Sequence, residues 1–135
     1  MEDMFINHWA VLVCAIFSMI LGAIWYSPLL FYKAWLKEIN FTDERMKSTK
    51  FLKVRVIGFL LSYLMSYNLA MFLGDSNTDW QWGLMAGFLV GFGWVWPRLI
   101  TISLNEQKSW KYILIHGGYT VIYFSIIGFI LGIWR

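Results

Sequence analysis

Where this chain keeps its charges limits its fold more than any other feature. No Asp, Glu, Lys or Arg occurs from Met4 to Tyr32, Val56 to Gly74, Trp80 to Pro97, or Tyr112 to Trp134, runs of 29, 19, 18 and 23 residues. A hydrocarbon core of about 30 Å needs about 20 helical residues at ~1.5 Å each, so runs of this length are membrane-span candidates. The third reaches full length by continuing past Arg98 through Leu99 to Ser103. Spanning barrels are built from short alternating strands, whereas these runs are continuously apolar, which selects helices. Composition agrees: 59% of residues are apolar and 14% charged, against about 25% charged in soluble domains. The expected fold is an all-α integral membrane protein. It forms one domain, a compact bundle of four transmembrane helices near 7–27, 54–74, 81–104 and 111–134. A cleaved leader is the rival reading of the first run. A leader needs a basic start and a small-residue cleavage site. Here Glu2 and Asp3 open the chain and no clear cleavage site precedes Pro28, so the run is expected to stay.

Lys and Arg mark the cytoplasmic side of a multi-span protein. The loop at 28–53 and its flank hold Lys33, Lys37, Arg45, Lys47, Lys50, Lys53 and Arg55, and the third loop holds Lys108 and Lys111 with Arg98 nearby. The opposite side has only Arg135. Both termini are therefore expected outside a bacterial inner membrane. Trp9, Trp80, Trp82 and Trp134 would form the outer aromatic belt, and Trp25, Trp35, Trp94, Trp96 and Trp110 the inner one.

Within the first loop, Ser27-Pro28 can start a helix, and Leu29, Tyr32, Trp35, Leu36 and Ile39 repeat at helical spacing. This predicts a short amphipathic helix on the membrane surface. Thr42-Asp43-Glu44 reads as a new N-cap leading to the second span. Lys33, Lys37, Lys47, Lys50, Lys53 and Arg55 are candidates for contact with anionic headgroups, against the alternative that they only set topology.

Lipid gives helices little reason to associate through apolar area, so small residues that admit close backbone approach carry the packing. They recur every four positions: Ala10, Cys14, Ser18 and Gly22; Gly58, Ser62, Ser66 and Ala70; Gly83, Gly87 and Gly91; and Thr120, Gly128 and Gly132, interrupted by Phe124. These ladders are expected at helix–helix contacts. Whether the glycine face of the third span packs inside one chain or across a dimer is open at this level. Cys14, in an apolar run, reads as a small packing residue.

The segment Trp25-Tyr26-Ser27-Pro28-Leu29-Leu30-Phe31, followed by Trp35 and Thr42-Asp43-Glu44, resembles the bacterial four-span membrane family catalogued as domain of unknown function 1761. Tyr32 stands where that pattern has Gly, and Asn40-Phe41 where it has a Gly-Leu turn. The resemblance implies an integral inner-membrane protein and brings no activity, ligand or catalytic residue.

No carboxylate lies in any of the four runs, which disfavours proton- or cation-coupled transport. Cys14, His8 and His116 have no ligand-like spacing, so neither a metal nor another cofactor is expected. Asn7-His8 reads as an outer helix cap. Arg98 falls seven residues after Gly91 and shares its face on a regular helix. It is either an anchor reaching the inner headgroups or a charge turned into the bundle. Tyr112, His116, Tyr119 and Tyr123 form a polar aromatic stripe on one face of the fourth span. Interhelical hydrogen bonding is the plain reading of that stripe. A polar cavity or gate made with Arg98, His116, Tyr119 and Tyr123 is the functional one. No catalytic constellation can be assembled, and nothing suggests a nucleic-acid partner. The expected role is a non-enzymatic packing or accessory component, self-associating or part of a larger membrane complex. The alternative is a small channel or carrier for an anion or an uncharged amphiphile.

Overall fold

The computed structural model describes residues 6–48, 52–75 and 77–134, and among these every regular element is helical. In order they are α1 (His8–Trp25), α2 (Tyr32–Glu38), α3 (Asp43–Ser48), α4 (Leu52–Phe72), α5 (Trp80–Val90), a π-helical turn (Gly91–Val95), α6 (Trp96–Asn105) and α7 (Trp110–Ile133). Helices α1, α4, the continuous α5–α6 unit Trp80–Asn105 and α7 are each long and apolar enough to cross a membrane.

Side-chain caps start α1, α5 and α7. Asn7 accepts from the amides of Trp9 (3.1 Å) and Ala10 (3.2 Å), Asp79 from Trp82 (2.8 Å) and Ser109 from Tyr112 (3.1 Å). Each cap satisfies donors that the helix leaves unpaired. Asn40 and Gln107 adopt positive φ, 58° and 59°. Asn40 ends α2, with the Phe41 amide bonding back to the Leu36 carbonyl at 3.0 Å. Asn tolerates the left-handed region, so it does at this turn what a glycine would do.

The surface helix begins later than the Ser27-Pro28 signal suggests. Ser27 Oγ donates to the Ile24 carbonyl at 2.6 Å, so it closes α1 rather than opening α2. Residues 28–31 form turns before α2 starts at Tyr32. Leu29 is left 89% exposed, outside the apolar stripe expected of it. Thr42 does cap α3, its Oγ1 accepting from the Arg45 amide at 3.1 Å.

Helix α7 is the centre of the assembly. Its most extensive contact is with α5, and α1 and α4 pair on another side of it. The α5–α7 contact is backbone against backbone. A Cβ added at Gly83 would overlap the Gly128 carbonyl, and one at Gly87 the Phe124 carbonyl. One at Gly128 would overlap the Gly83 carbonyl, and one at Gly132 would lie 2.6 Å from the Asp79 carbonyl oxygen. The glycine face of the third span is thus used inside one chain. Gly91 faces Thr120 and Phe124 less tightly, at 3.1 Å.

Ala10, Cys14 and Ser18 are buried on α1, and Ser62, Ser66 and Ala70 on α4, while Gly22 and Gly58 are half-buried. The Cys14 thiol donates weakly to the Ile127 carbonyl at 3.8 Å. Ala10, Val11, Cys14, Leu69, Leu73, Phe124, Ile127 and Leu131 form one apolar cluster. It occupies the end of the bundle where α1 begins and α7 finishes, and there Asn7 Nδ2 donates to the Trp134 carbonyl at 3.4 Å. The outward faces carry Leu60, Leu64, Leu84, Phe88 and Phe92, all exposed, the pattern of a surface solvated by acyl chains rather than water.

The π turn changes the face that follows it. Pro97 has no N–H to offer Gly93, and the Trp96 amide reaches back to Gly91 instead, five residues rather than four. This extra residue rotates everything after it. Trp96 turns in against Gly117, Ser103 is buried and Arg98 is exposed. The expectation that Arg98 shares the glycine face is corrected here, because that reckoning assumed an uninterrupted α-helix.

Gly87→Ala is expected to push α5 off α7 and cost about 1–3 kcal/mol, as overpacking does. Gly93, whose added Cβ meets nothing, should tolerate alanine or gain up to about 1 kcal/mol. Unfolding of both variants in detergent micelles checks the contrast.

Candidate functional site

Polar side chains gather at the end of the bundle opposite the apolar cluster, where α1 finishes and α7 begins. Tyr26, just after α1, lies with its hydroxyl 2.7 Å from His116 Nδ1. Around that pair stand Trp35 of α2, 4.8 Å from the Tyr26 ring, Tyr119 at 5.6 Å, and Tyr112, 4.4 Å from the imidazole. Trp25 Nε1 donates to the Ile115 carbonyl at 2.9 Å. Two glycines make room for these rings. The Trp25 ring lies 2.9 Å from where a Cβ on Gly118 would sit, and the Trp96 indole fills the same space at Gly117. One tryptophan therefore enters against α7 at each of two adjacent residues.

Helix α2 closes this end. Ser109, the cap of α7, donates its hydroxyl proton to Glu38 Oε2 at 2.5 Å while accepting from the Tyr112 amide. Lys108 lies 5.4 Å from the Tyr112 ring centre, a cation–π contact at the same edge.

The stripe residues split by partner. His116 is held by Tyr26. Tyr119 donates to the Ser18 carbonyl at 3.0 Å, and Tyr123 to the Ser62 carbonyl at a long 3.5 Å. The stripe thus ties α7 to α1 and α4 through hydroxyls. Arg98 is exposed on α6 and is not brought to these residues. His116 Nε2, Trp96 Nε1 and Ser66 Oγ are, among the described residues, buried side-chain atoms without a hydrogen-bond partner. Histidine acting as a base needs a reacting group within reach and a third group to orient it. The bonded partner here is a tyrosine, so the contact joins the residue after α1 to α7.

Of the candidate headgroup residues, Lys33, Lys37, Lys53 and Arg55 are exposed. Lys50 and the side chain of Lys47 lie outside the described residues. Beside Lys33 is a cavity of about 610 Å³ lined by Pro28, Tyr32, Lys33, Leu36 and Asp43. The Tyr32 hydroxyl donates to Asp43 Oδ1, and because ionisation would remove that donated proton the bond raises the tyrosine's pKa. His8, capped from before by Asn7, packs 5.8 Å from the Tyr67 ring at the other end.

Sequence reasoning missed Tyr26, Trp25, Trp35 and Trp96 as partners of the stripe. Gly117-Gly118 was the available signal, since adjacent glycines inside a helix of large residues mark close approach by a neighbour. Over residues 9–132 the chain matches a family model described as a protein of unknown function (DUF1761). No curated protein and no solved structure gives a match.

Removing the Tyr26–His116 bond tests its weight. Tyr26→Phe and His116→Ala should each destabilise the protein, and the double variant should cost less than their sum. A coupling of about 0.6 kcal/mol, at most ~1.7, is expected for such a bond between membrane helices. Equilibrium unfolding of the four proteins in micelles measures it.

Proposed function

The chain belongs to the DUF1761 family, and on that premise we propose that it acts as a non-enzymatic membrane component, a scaffold or accessory subunit. One observation carries this reading. The polar groups that a conduction path or an active site would need are joined to neighbouring helices, His116 to Tyr26 and Tyr119 to Ser18. A wet pathway requires polar groups facing an open channel, and Arg98, the one charge in the third span, lies exposed on the outside of α6.

The protein sits in the inner membrane with both termini outside, because the basic residues concentrate at 33–55 and 98–111. Lys33, Lys37, Lys53 and Arg55 face the headgroups of the cytoplasmic leaflet. Small residues are largely used within the chain, so a second copy or another membrane protein meets the large apolar side chains on the outer faces of α4 and α5. The stacked pair Phe88 and Phe92, 5.3 Å apart, is a rigid surface of that kind.

Purified protein in liposomes should hold proton and chloride gradients as tightly as empty vesicles do. Leakage above that background, abolished by His116→Ala with the fold intact, would replace the scaffold with the carrier reading.

A further inference from the structure

Helix α4 carries a polar group on a face that is otherwise apolar. Ser62, Ser66, Leu69 and Ala70 turn into the bundle, and the opposite side of the helix is exposed. Along that side run Ile57, Leu61, Leu64, Asn68 and Met71, all exposed and alternately four and three residues apart. This is the heptad spacing of a coiled-coil seam. Asn68 lies within the uncharged run from Val56 to Gly74, in a helix long and apolar enough to cross a membrane. The exposed face of α1, by contrast, is apolar at Val13, Ile16, Ile20 and Ile24.

A carboxamide in that place is not satisfied by its own helix. It has two N–H donors and a carbonyl acceptor, and the helix amides around it are already used in the backbone ladder. Thr101, exposed on α6, meets its need by donating to the Pro97 carbonyl at 3.0 Å, a route that does nothing for the Asn68 oxygen. Acyl chains offer no hydrogen bond at all, so leaving the group against them carries the cost of an unpaired amide. Nor does the side chain reach out of the span. Phe72 ends α4 about 6 Å further on, and the Cα–Cβ bond of Asn68 leans the other way, towards the helix start.

We propose that α4 packs against α4 of a second copy along this seam, with each Asn68 carboxamide donating to the carbonyl oxygen of its twin. The basic residues at 33–55 and 98–111 orient every copy alike. Two copies related by a twofold axis along the membrane normal therefore bring the same residue together at the same depth. The polar position on the seam meets itself, and a carboxamide, being both donor and acceptor, is self-complementary. One Asn in an apolar seam also fixes the register of the two helices. The proposal deepens the scaffold reading and rests on its orientation of the chain and its covered α4 face, and it names the occupant of that face as a second copy.

Sedimentation equilibrium of the full chain in density-matched detergent micelles reads the association directly. The native sequence should be dimeric. Asn68→Leu, which keeps the size and completes the apolar stripe, should dissociate about tenfold more readily, the factor that an interhelical hydrogen bond of model-peptide strength sets. In liposomes, oxidation should cross-link Leu64→Cys between copies and leave Val13→Cys, on the exposed face of α1, uncrosslinked. Cys14 is buried and adds no background. A monomeric chain overturns the proposal and leaves the gradient test of the scaffold role as it was. Dimerisation of Asn68→Leu as strong as that of the native sequence also overturns it, since that would mark plain apolar association. So does cross-linking through Val13→Cys in place of Leu64→Cys. Leucine at an exposed position leaves the packing of the single chain intact, and the cross-link reads the seam without it.

Discussion

The close approach of α5 to α7 is the contact on which the rest of the bundle depends. Gly83 and Gly87 lie where any side chain would strike the carbonyls of Gly128 and Phe124, and Gly128 returns the same restriction. Each glycine costs a helix about 1 kcal/mol relative to alanine. In a bilayer this is offset by dispersion between backbones, which is what remains when neighbouring lipid is as apolar as any side chain. The contact is reciprocal, so bulk on either helix separates both. It also fixes which face of α7 is left for α1 and α4, and therefore where the stripe of Tyr112, His116, Tyr119 and Tyr123 points.

The same span changes character halfway. Above the π turn, α5 is a glycine face in backbone contact. Below it, α6 presents Trp96 to Gly117 and sends Arg98 outward. The cause is a missing donor at Pro97 and a bond from Trp96 back to Gly91. A turn of this kind costs hydrogen-bond geometry, and here it lets one continuous span serve two contacts that a regular helix could not align.

The two ends of the bundle differ in chemistry. Where α1 begins and α7 finishes, Val11, Cys14, Leu73 and Ile127 make an apolar cluster. At the other end, indole, imidazole and phenol groups hold α1, α2 and α7 together, with Glu38 and Ser109 as an outer tie. A polar end has a physical use in a membrane helix bundle, because hydrogen bonds fix register between helices that apolar contact alone would allow to slide. The bond between Tyr26 and His116 is one such tie. Beside α2, Lys33 and Asp43 line one cavity.

The distribution of charge is enough to read four long apolar helices, since the cost of an unpaired backbone or a bare charge in hydrocarbon leaves few alternatives. Family membership is also legible, carried by the segment from Trp25 to Phe31, and the helix caps at Asn7 and Thr42 follow from local chemistry. The start of α2 is not, because Ser27 has carbonyls behind it as well as amides ahead, and sequence does not say which it will satisfy. Nor is the face that Arg98 takes, because helical spacing presumes an unbroken helix. Sequence, then, determined the solvent, the elements and the small-residue faces, all properties set by each segment against water or lipid. Only the tertiary structure decided which small faces meet, that Tyr26 rather than Arg98 reaches His116, and that Lys33 and Asp43 share one cavity. Those pairings depend on the rotation and depth of one helix against another, which no single segment encodes.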